Sequence, residues 1–251
     1  MIELHNKVIV VTGGASGIGM ATARLAAALG ARLALLDANA TTLGETAKAM
    51  PEETVRIPCD VSNESQVKAV MGRVISSFGR IDALVNCAGI ALRNAVHETD
   101  EKDWRRVLDI NLSGAFLTSK HALPHFPSSG GSIVHVSSVT GIVGTRSRAA
   151  YSASKGALIS LARNMAVDYA SRGIRVNCVC PGFVKTPLLD AIFADSEKTA
   201  RLTAMHPLGR LGEPEDVACA IIFLISNEAS WVTGQAIAID GGFSVGYTNE
   251  I

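Results

Sequence analysis

Apolar residues along the chain fall into short runs rich in β-branched side chains, separated by longer stretches with helical spacing. The runs "KVIVVT" (7–12), "RLALLD" (32–37), "VRIPCD" (55–60), "IDALVNCAG" (81–89), "GSIVHVSS" (131–138), "IRVNCVCPG" (174–182) and "QAIAID" (235–240) predict seven strands. Helices are expected between them: through Leu29 to Gly30, over 41–50 up to Pro51, over 62–79, over 101–125, from near Tyr151 to about Arg172, and over 214–226. Continuous apolar strands alternating with helices predict a parallel sheet covered on both faces, a Rossmann-like, doubly wound α/β fold. No repeat, low-complexity tract or linker divides the chain, so residues 1–251 are expected to form one domain. The segment 183–213 reads as irregular. It leaves the carboxyl end of the sixth strand, where open α/β sheets bind ligands, so a lid or pocket wall is expected there.

Composition narrows the possibilities. The 251 residues are 48% hydrophobic and 18% charged, enough apolar material for a large core. Lys plus Arg total 23 and Asp plus Glu total 23, a balance that points to neither nucleic acid nor an acidic membrane as partner. No apolar run has the length of a membrane span, and the first residues lack the pattern of a signal peptide. Five scattered cysteines, Cys59, Cys87, Cys178, Cys180 and Cys219, match neither a disulfide framework nor a zinc site. Cys178 and Cys180 are expected on one face of a strand as packed small hydrophobes. A cytoplasmic protein is expected.

Candidate chemistry begins at "TGGASGIG", Thr12 to Gly19, between the first strand and the first helix. Gly13, Gly17 and Gly19 permit a sharp turn and a close backbone approach to a diphosphate, and the helix start offers free N–H groups. A tight turn with no ligand is the plainer alternative. Asp37 ends the second strand, where a carboxylate accepts from both ribose hydroxyls of an adenosine and repels a 2′-phosphate. That predicts NAD over NADP; a helix-capping Asp is the competing reading. Asp60 and Val61, after the third strand, are placed to bracket an adenine. Asn86, ending the fourth, either fixes backbone near the cofactor or is a turn residue.

A second group of residues lies in "YSASK", 151–155. Tyr151 and Lys155 share a helix face, four residues apart. A free phenol has a pKa of about 10. An ammonium about 4 Å from the phenolate, at an effective dielectric near 20, contributes roughly 4 kcal/mol. That is about three pKa units, the right size to make Tyr151 a base near neutral pH. Small neighbours, Ala150, Ser152, Ala153, Ser154 and Gly156, leave room for ligand and for a neighbouring helix.

In order and spacing, "TGGASGIG", "NCAG", Tyr151-x-x-x-Lys155 and Pro181-Gly182 resemble the short-chain dehydrogenase/reductase family over essentially the whole chain. The one small departure is Cys87, where an alanine is common. The resemblance implies an oxidoreductase that moves a hydride between a secondary alcohol and NAD, with Asn111, Ser138, Tyr151 and Lys155 as the catalytic group. It implies that Tyr151 exchanges the hydroxyl proton and Ser138 orients the substrate oxygen. Lys155 holds nicotinamide-ribose hydroxyls, and Asn111 holds a water that leads from Lys155 to solvent. Cofactor contacts are implied at Gly13, Ser16, Gly17, Ile18, Gly19, Asp37, Asp60, Val61, Asn86, Ala88, Gly89, Tyr151, Lys155, Pro181, Gly182, Val184 and Thr186. A homotetramer is implied as well, and Ala153, Ala157 and Ser160 would let helices pack closely between subunits.

Leu188, Leu189, Ile192 and Phe193 in the lid suggest an apolar or cyclic alcohol. Two alternatives remain: a 3-oxoacyl or other ketone reductase, and a nucleotide-binding regulatory protein without turnover. No metal is expected; His121 and His125 are four apart but lack a completing carboxylate. His206, Arg146 and Arg148 each have two readings, a substrate contact (for the arginines, of an anionic substrate) or a loop residue, with the solvated loop favoured for the arginines, and Trp231 is read as core or interface.

Overall fold

A computed structural model describes residues 2–246. Seven strands form one parallel sheet in the order β3-β2-β1-β4-β5-β6-β7. They are β1 Val8–Thr12, β2 Arg32–Asp37, β3 Val55–Pro58, β4 Ala83–Asn86, β5 Gly131–Val136, β6 Ile174–Pro181 and β7 Ala236–Ile239. The order reverses beside β1, between the β1–β2 and β1–β4 pairings, and this is the crevice where open sheets bind ligands.

The alternation of side chains along each strand explains the two cores. Val8 and Val10 of β1 and Ala34 and Leu36 of β2 face one side. There they pack against Val67, Val70, Met71 and Val74 of α3 (Glu64–Phe78), and the same core takes in Ile159, Ala162 and Met165 of α6 (Ala149–Tyr169). Ile9, Val11, Leu33 and Leu35 face the other side, against Ala23 and Ala26 of α1 (Gly17–Ala28) and Val217, Ile221 and Ile222 of α9 (Pro214–Ile225). Cys178 and Cys180 are fully buried on one face, as their spacing predicts.

Three expectations are revised. First, β3, β4 and β5 end earlier than their apolar runs. Asp60, Gly89 and Ser138 therefore lie beyond the last paired residues, where the backbone leaves the sheet. Second, the helix over 101–125 is three pieces: α4 Glu101–Leu108, a π-helical turn Asp109–Ser113, and α5 Gly114–Ala122. Likewise, the helix after β2 is only α2 Ala40–Glu45 followed by a 3-10 turn. Third, 183–213 is not irregular throughout: it contains α7 Asp190–Phe193 and α8 Ser196–Ala204. Asp195 caps α8 by accepting from Lys198 N at 3.1 Å, and a Val184–Gly212 bridge closes the base of the segment. No residue of α8 is buried, so its sequence carries no apolar stripe to announce it. No helix among the described residues is long and apolar enough to cross a membrane.

Candidate active site

The carboxyl ends of β1, β2, β4, β5 and β6 open onto a cleft of about 1150 Å³. The Thr12–Gly19 turn lines one end. Gly13 has φ +63°, and a Cβ there would stand 2.9 Å from Ala88 N; a Cβ on Gly19 would collide with the Gly13 carbonyl. Only glycine satisfies both the positive φ and these approaches. Ser16 precedes α1 in extended conformation with no side-chain cap, and the first turn carries no acid. The leading N–H groups of α1 are therefore unclaimed by side chains, the electrostatic setting for a bound phosphate. Thr186 reaches over this turn, its Cγ2 3.1 Å from where a Gly17 Cβ would lie.

Asp37 braces the turn. Its Oδ2 accepts from Ala15 N at 3.1 Å and its Oδ1 from Asn39 N at 2.9 Å. Asn39, not Asp37, caps α2 by accepting from Thr42 N. Each Asp37 oxygen keeps lone-pair capacity for a ligand hydroxyl. Asp60 Oδ1 accepts from the backbone and hydroxyl of Ser62, at 2.9 and 2.7 Å. Gly13, Ser16, Gly17, Ile18, Gly19, Asp37, Asp60, Val61, Ala88, Gly89, Ser138, Tyr151, Lys155, Pro181, Gly182, Val184 and Thr186 all line the one cleft.

Asn86 and Asn111 do not line it. Asn86 points into a buried network, accepting from Thr118 Oγ1 at 2.7 Å and facing His135 Nδ1 at 3.1 Å. Its side-chain bonds run to other side chains, Thr118 and Ser119 of α5 and His135 of β5, and none to loop backbone. Asn111 lies in the π-helical turn. Its Oδ1 accepts from Ile90 N at 2.8 Å, and its Nδ2 donates to Ile90 O at 2.9 Å and Ser154 Oγ at 3.0 Å. The side-chain amide thus clamps the Gly89–Ile90 loop to α6 from within the π turn.

Ser138, Tyr151 and Lys155 are brought together by close packing of the loop after β5 on α6. Ser137 Oγ donates to Lys155 O at 2.7 Å. A Cβ on Gly141 would stand 2.8–2.9 Å from the Lys155 and Gly156 backbone, so the approach requires glycine. The small residues around Tyr151 serve this contact as well as the open cleft. Ser138 Oγ accepts from Thr140 N and Thr140 Oγ1, both at 3.2 Å.

The electrostatics differ from expectation. Lys155, 4% exposed, donates to Val136 O at 2.8 Å and lies 5.6 Å from the Tyr151 ring centroid. Burial lowers its pKa to about 8. Burial also raises the Tyr151 pKa, opposed by the Ser138 hydroxyl and the Arg148 charge. Desolvation of the phenolate outweighs the attraction that the Tyr-Lys spacing suggests. Arg148, three residues before Tyr151, lines the cleft with its Cζ 5.8 Å from the phenol ring centroid. Sequence reasoning left it in a loop; its place just ahead of α6 was the available signal.

The apolar wall is Phe183, Leu188 and Leu189. Phe193 does not line the cleft, and the Ile192 side chain lies outside the described residues. Phe183 packs edge-on to His206 and Phe243. His206 is buried, its Nδ1 2.7 Å from Leu202 O and its Nε2 3.4 Å from Phe183 N. Nδ1–H donates and Nε2 accepts, so His206 clamps the lid base and has no ring nitrogen to spare. His121 pairs with Glu64 at 3.0 Å. Trp231 is 99% exposed, which rules out the core reading.

A family model described as enoyl-(acyl carrier protein) reductase matches residues 13–244. The chain is 46% identical over 243 residues to a cis-4-hydroxycyclohexanecarboxylate dehydrogenase of Sinomonas cyclohexanicum, covering 95% of this chain and 96% of that one. The chain belongs to the short-chain dehydrogenase/reductase family. A 3-oxoacyl-[acyl-carrier-protein] reductase of Thermotoga maritima is 40% identical over 248 residues, 97% of this chain and all of that one. Ligand-free aldohexose dehydrogenase of Thermoplasma acidophilum superposes with TM-score 0.89 at 35% identity, covering 99% of this chain and 98% of that one.

As a short-chain dehydrogenase/reductase, the protein is an oxidoreductase acting on CH–OH groups with a nicotinamide cofactor. The residues fit such a cofactor. The uncapped start of α1 and the glycine-rich turn suit a diphosphate, the Asp37 carboxylate suits ribose hydroxyls, and Tyr151 and Lys155 share the same cleft.

Proposed function

We propose that the protein is an NAD-dependent dehydrogenase of a secondary alcohol with an apolar or cyclic frame. The observation that carries the reading is the convergence of Ser138, Tyr151 and Lys155 on the cleft that also holds the Asp37 carboxylate. Asp37 meets the adenosine ribose and disfavours a 2′-phosphate, because like charges brought together cost several kcal/mol. The relative's hydroxycyclohexane substrate and the Phe183–Leu188–Leu189 wall support a cyclic frame.

The bound nicotinamide supplies the hydride acceptor, or the donor in reverse. Ser138 donates a hydrogen bond to the substrate oxygen and holds it beside the Tyr151 hydroxyl. In oxidation the phenolate of Tyr151 takes the hydroxyl proton as the carbinol C–H bond breaks and the C=O bond forms. In reduction the Tyr151 hydroxyl gives that proton to the carbonyl oxygen. Lys155 and Arg148 stabilise the phenolate by charge, and Asn111 holds the loop and helix that position Lys155. The segment 183–213 covers the substrate side as a lid within a single-domain chain.

A second reading, reduction of a ketone such as a 3-oxoacyl group, is favoured by the raised Tyr151 pKa, which keeps the phenol protonated as an acid. Exposed Ala153 and Ser160 with half-buried Ala157 support a homotetramer in which α6 meets a second copy. The unbridged, fully buried Cys178 and Cys180 support a reducing, cytoplasmic setting.

The test is NADH formation from a panel of secondary and cyclic alcohols, with NADP⁺ in parallel and ketone reduction as the reverse assay. Turnover with NAD⁺ in the alcohol direction supports the first reading. Turnover in the ketone direction alone supports the second. NAD⁺ binding without turnover in either direction points to a regulatory protein, and turnover with NADP⁺ alone overturns the reading of Asp37.

A further inference from the structure

A guanidinium, that of Arg148, stands at the substrate side of the cleft, and the loop that carries exposed Arg93 lies against the start of its helix. Arg148 precedes α6 and lines the cleft beside Tyr151. Arg93 is brought next to it by the loop after β4, which is tied to α6 where Ala149 N donates to Asn94 O at 3.3 Å. The two charges are close enough to repel, and Arg93 depresses the Arg148 pKa in addition to the larger effect of burial. Among the described residues, neither side chain makes a hydrogen bond or an ion pair. The arginines elsewhere that do pair, such as Arg80 with Asp82 and Arg210 with Asp216, do so on the surface.

A half-buried guanidinium with a like charge beside it and no acceptor is an expensive arrangement. Contact with the Tyr151 ring offsets part of that cost. At 5.8 Å from the centroid it lies near the limit of a cation–π interaction, and it leaves the N–H donors without acceptors. The cofactor phosphates are not the missing partner. Their cradle is the turn at Gly13–Gly19 and the start of α1, whereas Arg148 stands on the Tyr151 side. Of the acids that line the cleft, Asp37 and Asp60 are bound to Ala15, Asn39 and Ser62 and Glu101 pairs with Arg105, and among the described residues neither these nor Asp109 forms an ion pair with Arg148. The two charged side chains that face the Tyr151 ring among the described residues, Lys155 and Arg148, are both positive.

We propose that Arg148, backed by Arg93, binds a carboxylate on the substrate, so that the alcohol oxidised here is a hydroxy acid rather than a neutral alcohol. The planar fork of Arg148 matches a carboxylate in two parallel hydrogen bonds. The anion relieves the repulsion between the two guanidiniums. It also fixes the substrate by a point away from its carbinol carbon, which turns a greasy cleft into an oriented one. The inference deepens the dehydrogenase reading of the same site and rests on it for the identity of the reacting group, but the binding claim can be measured without turnover.

The test uses the full-length protein with NAD⁺ and two non-reacting probes of the same shape, cyclohexanecarboxylate and cyclohexanecarboxamide, by titration calorimetry. A charge-assisted bidentate contact predicts that the carboxylate binds about 10–100-fold tighter than the amide. Arg148→Gln is expected to erase that preference, Arg148→Lys to restore part of it, and Arg93→Gln to reduce it severalfold. Kinetics give a second readout: the ratio of kcat/KM for 4-hydroxycyclohexanecarboxylate over its carboxamide, which falls in Arg148→Gln by the same factor as the binding preference. Equal binding of the two probes by the unaltered protein overturns the proposal, as does a preference that survives in folded Arg148→Gln. Carboxylate preference without turnover of any alcohol leaves the anion site standing and removes the dehydrogenase reading. Turnover with no preference does the reverse.

Discussion

The Lys155 ammonium donates to the Val136 carbonyl at 2.8 Å while it is almost wholly buried. This bond crosses from α6 to the end of β5 and anchors a charge where burial disfavours it. The folded pKa of about 8 lies below the ordinary 10.5, so the fold favours the neutral amine.

Lys155→Met is therefore expected to abolish activity and yet be at least as stable as the unaltered protein at pH 7. Between pH 8 and 10.5 the unfolded chain binds the proton that the folded chain has lost. The unaltered protein gains stability relative to the variant across that window, by on the order of 3 kcal/mol. Urea denaturation of both proteins at pH 7, 8, 9 and 10 measures the gap; a gap that does not shift toward the unaltered protein as pH rises contradicts the lowered pKa.

Removing the Tyr151 hydroxyl tests the proton transfer alone. Tyr151→Phe is expected to lower kcat by about 10²–10⁴-fold, the usual yield of a positioned acid or base. NADH binding, followed by fluorescence, is expected to change little. A variant that keeps a tenth of the activity would remove Tyr151 from the chemistry. Ser138→Ala is expected to act in the same direction.

His135 is fully buried and its pKa is lowered to about 4 by burial, with the Lys155 charge adding to the effect. Its neutral form contributes stability that is fully present above pH 6.5 and is lost as pH falls toward 4, on the order of 3 kcal/mol in all. His135→Leu is expected to start less stable at pH 7, because Asn86 Nδ2 keeps only the long 3.4 Å contact to Ser119 Oγ. Its stability is then expected to decline less steeply between pH 6.5 and 4. Parallel denaturation curves for the two proteins over that range would show that His135 does not titrate as buried.

Asp37→Ala removes both the carboxylate offered to the ribose and the acceptor for Ala15 N and Asn39 N. KM for NAD⁺ is expected to rise, and discrimination against NADP⁺ to shrink by about tenfold or more. Steady-state kinetics with each cofactor decide it; an unchanged preference would place the selectivity elsewhere.

Gly19→Ala forces a Cβ against the Gly13 carbonyl, and about 2 kcal/mol or more of stability is expected to go with it. Gly72→Ala, in the middle of α3 with nothing within 4 Å, is expected to stabilise by up to about 1 kcal/mol. Thermal melts of the pair separate a collision in the turn from a general effect of replacing glycine.

The sequence by itself determined the strands and the chemistry carried by short spacings. Residues 32–37 form β2 over the full run that reads as a strand, because a continuous apolar run suits burial on both faces of a parallel sheet. Gly13, Gly17, Gly19 and Asp37 lie in one local turn and strand end, and Tyr151 and Lys155 one helical turn apart, so their proximity follows from chain geometry. Tertiary structure decided what depends on distant partners. The π turn at Asp109–Ser113 carries Asn111, whose amide clamps Ile90 and Ser154. The helices of the lid, which bury no residue in α8, are ordered by caps and by the Val184–Gly212 bridge. The Tyr151 pKa moved opposite to what the Tyr-Lys spacing suggests, and that of Lys155 fell, because burial is a property of the assembled fold. Arg148 stands beside the phenol because it is the residue before α6, three ahead of Tyr151, and tertiary structure added the cleft that both face.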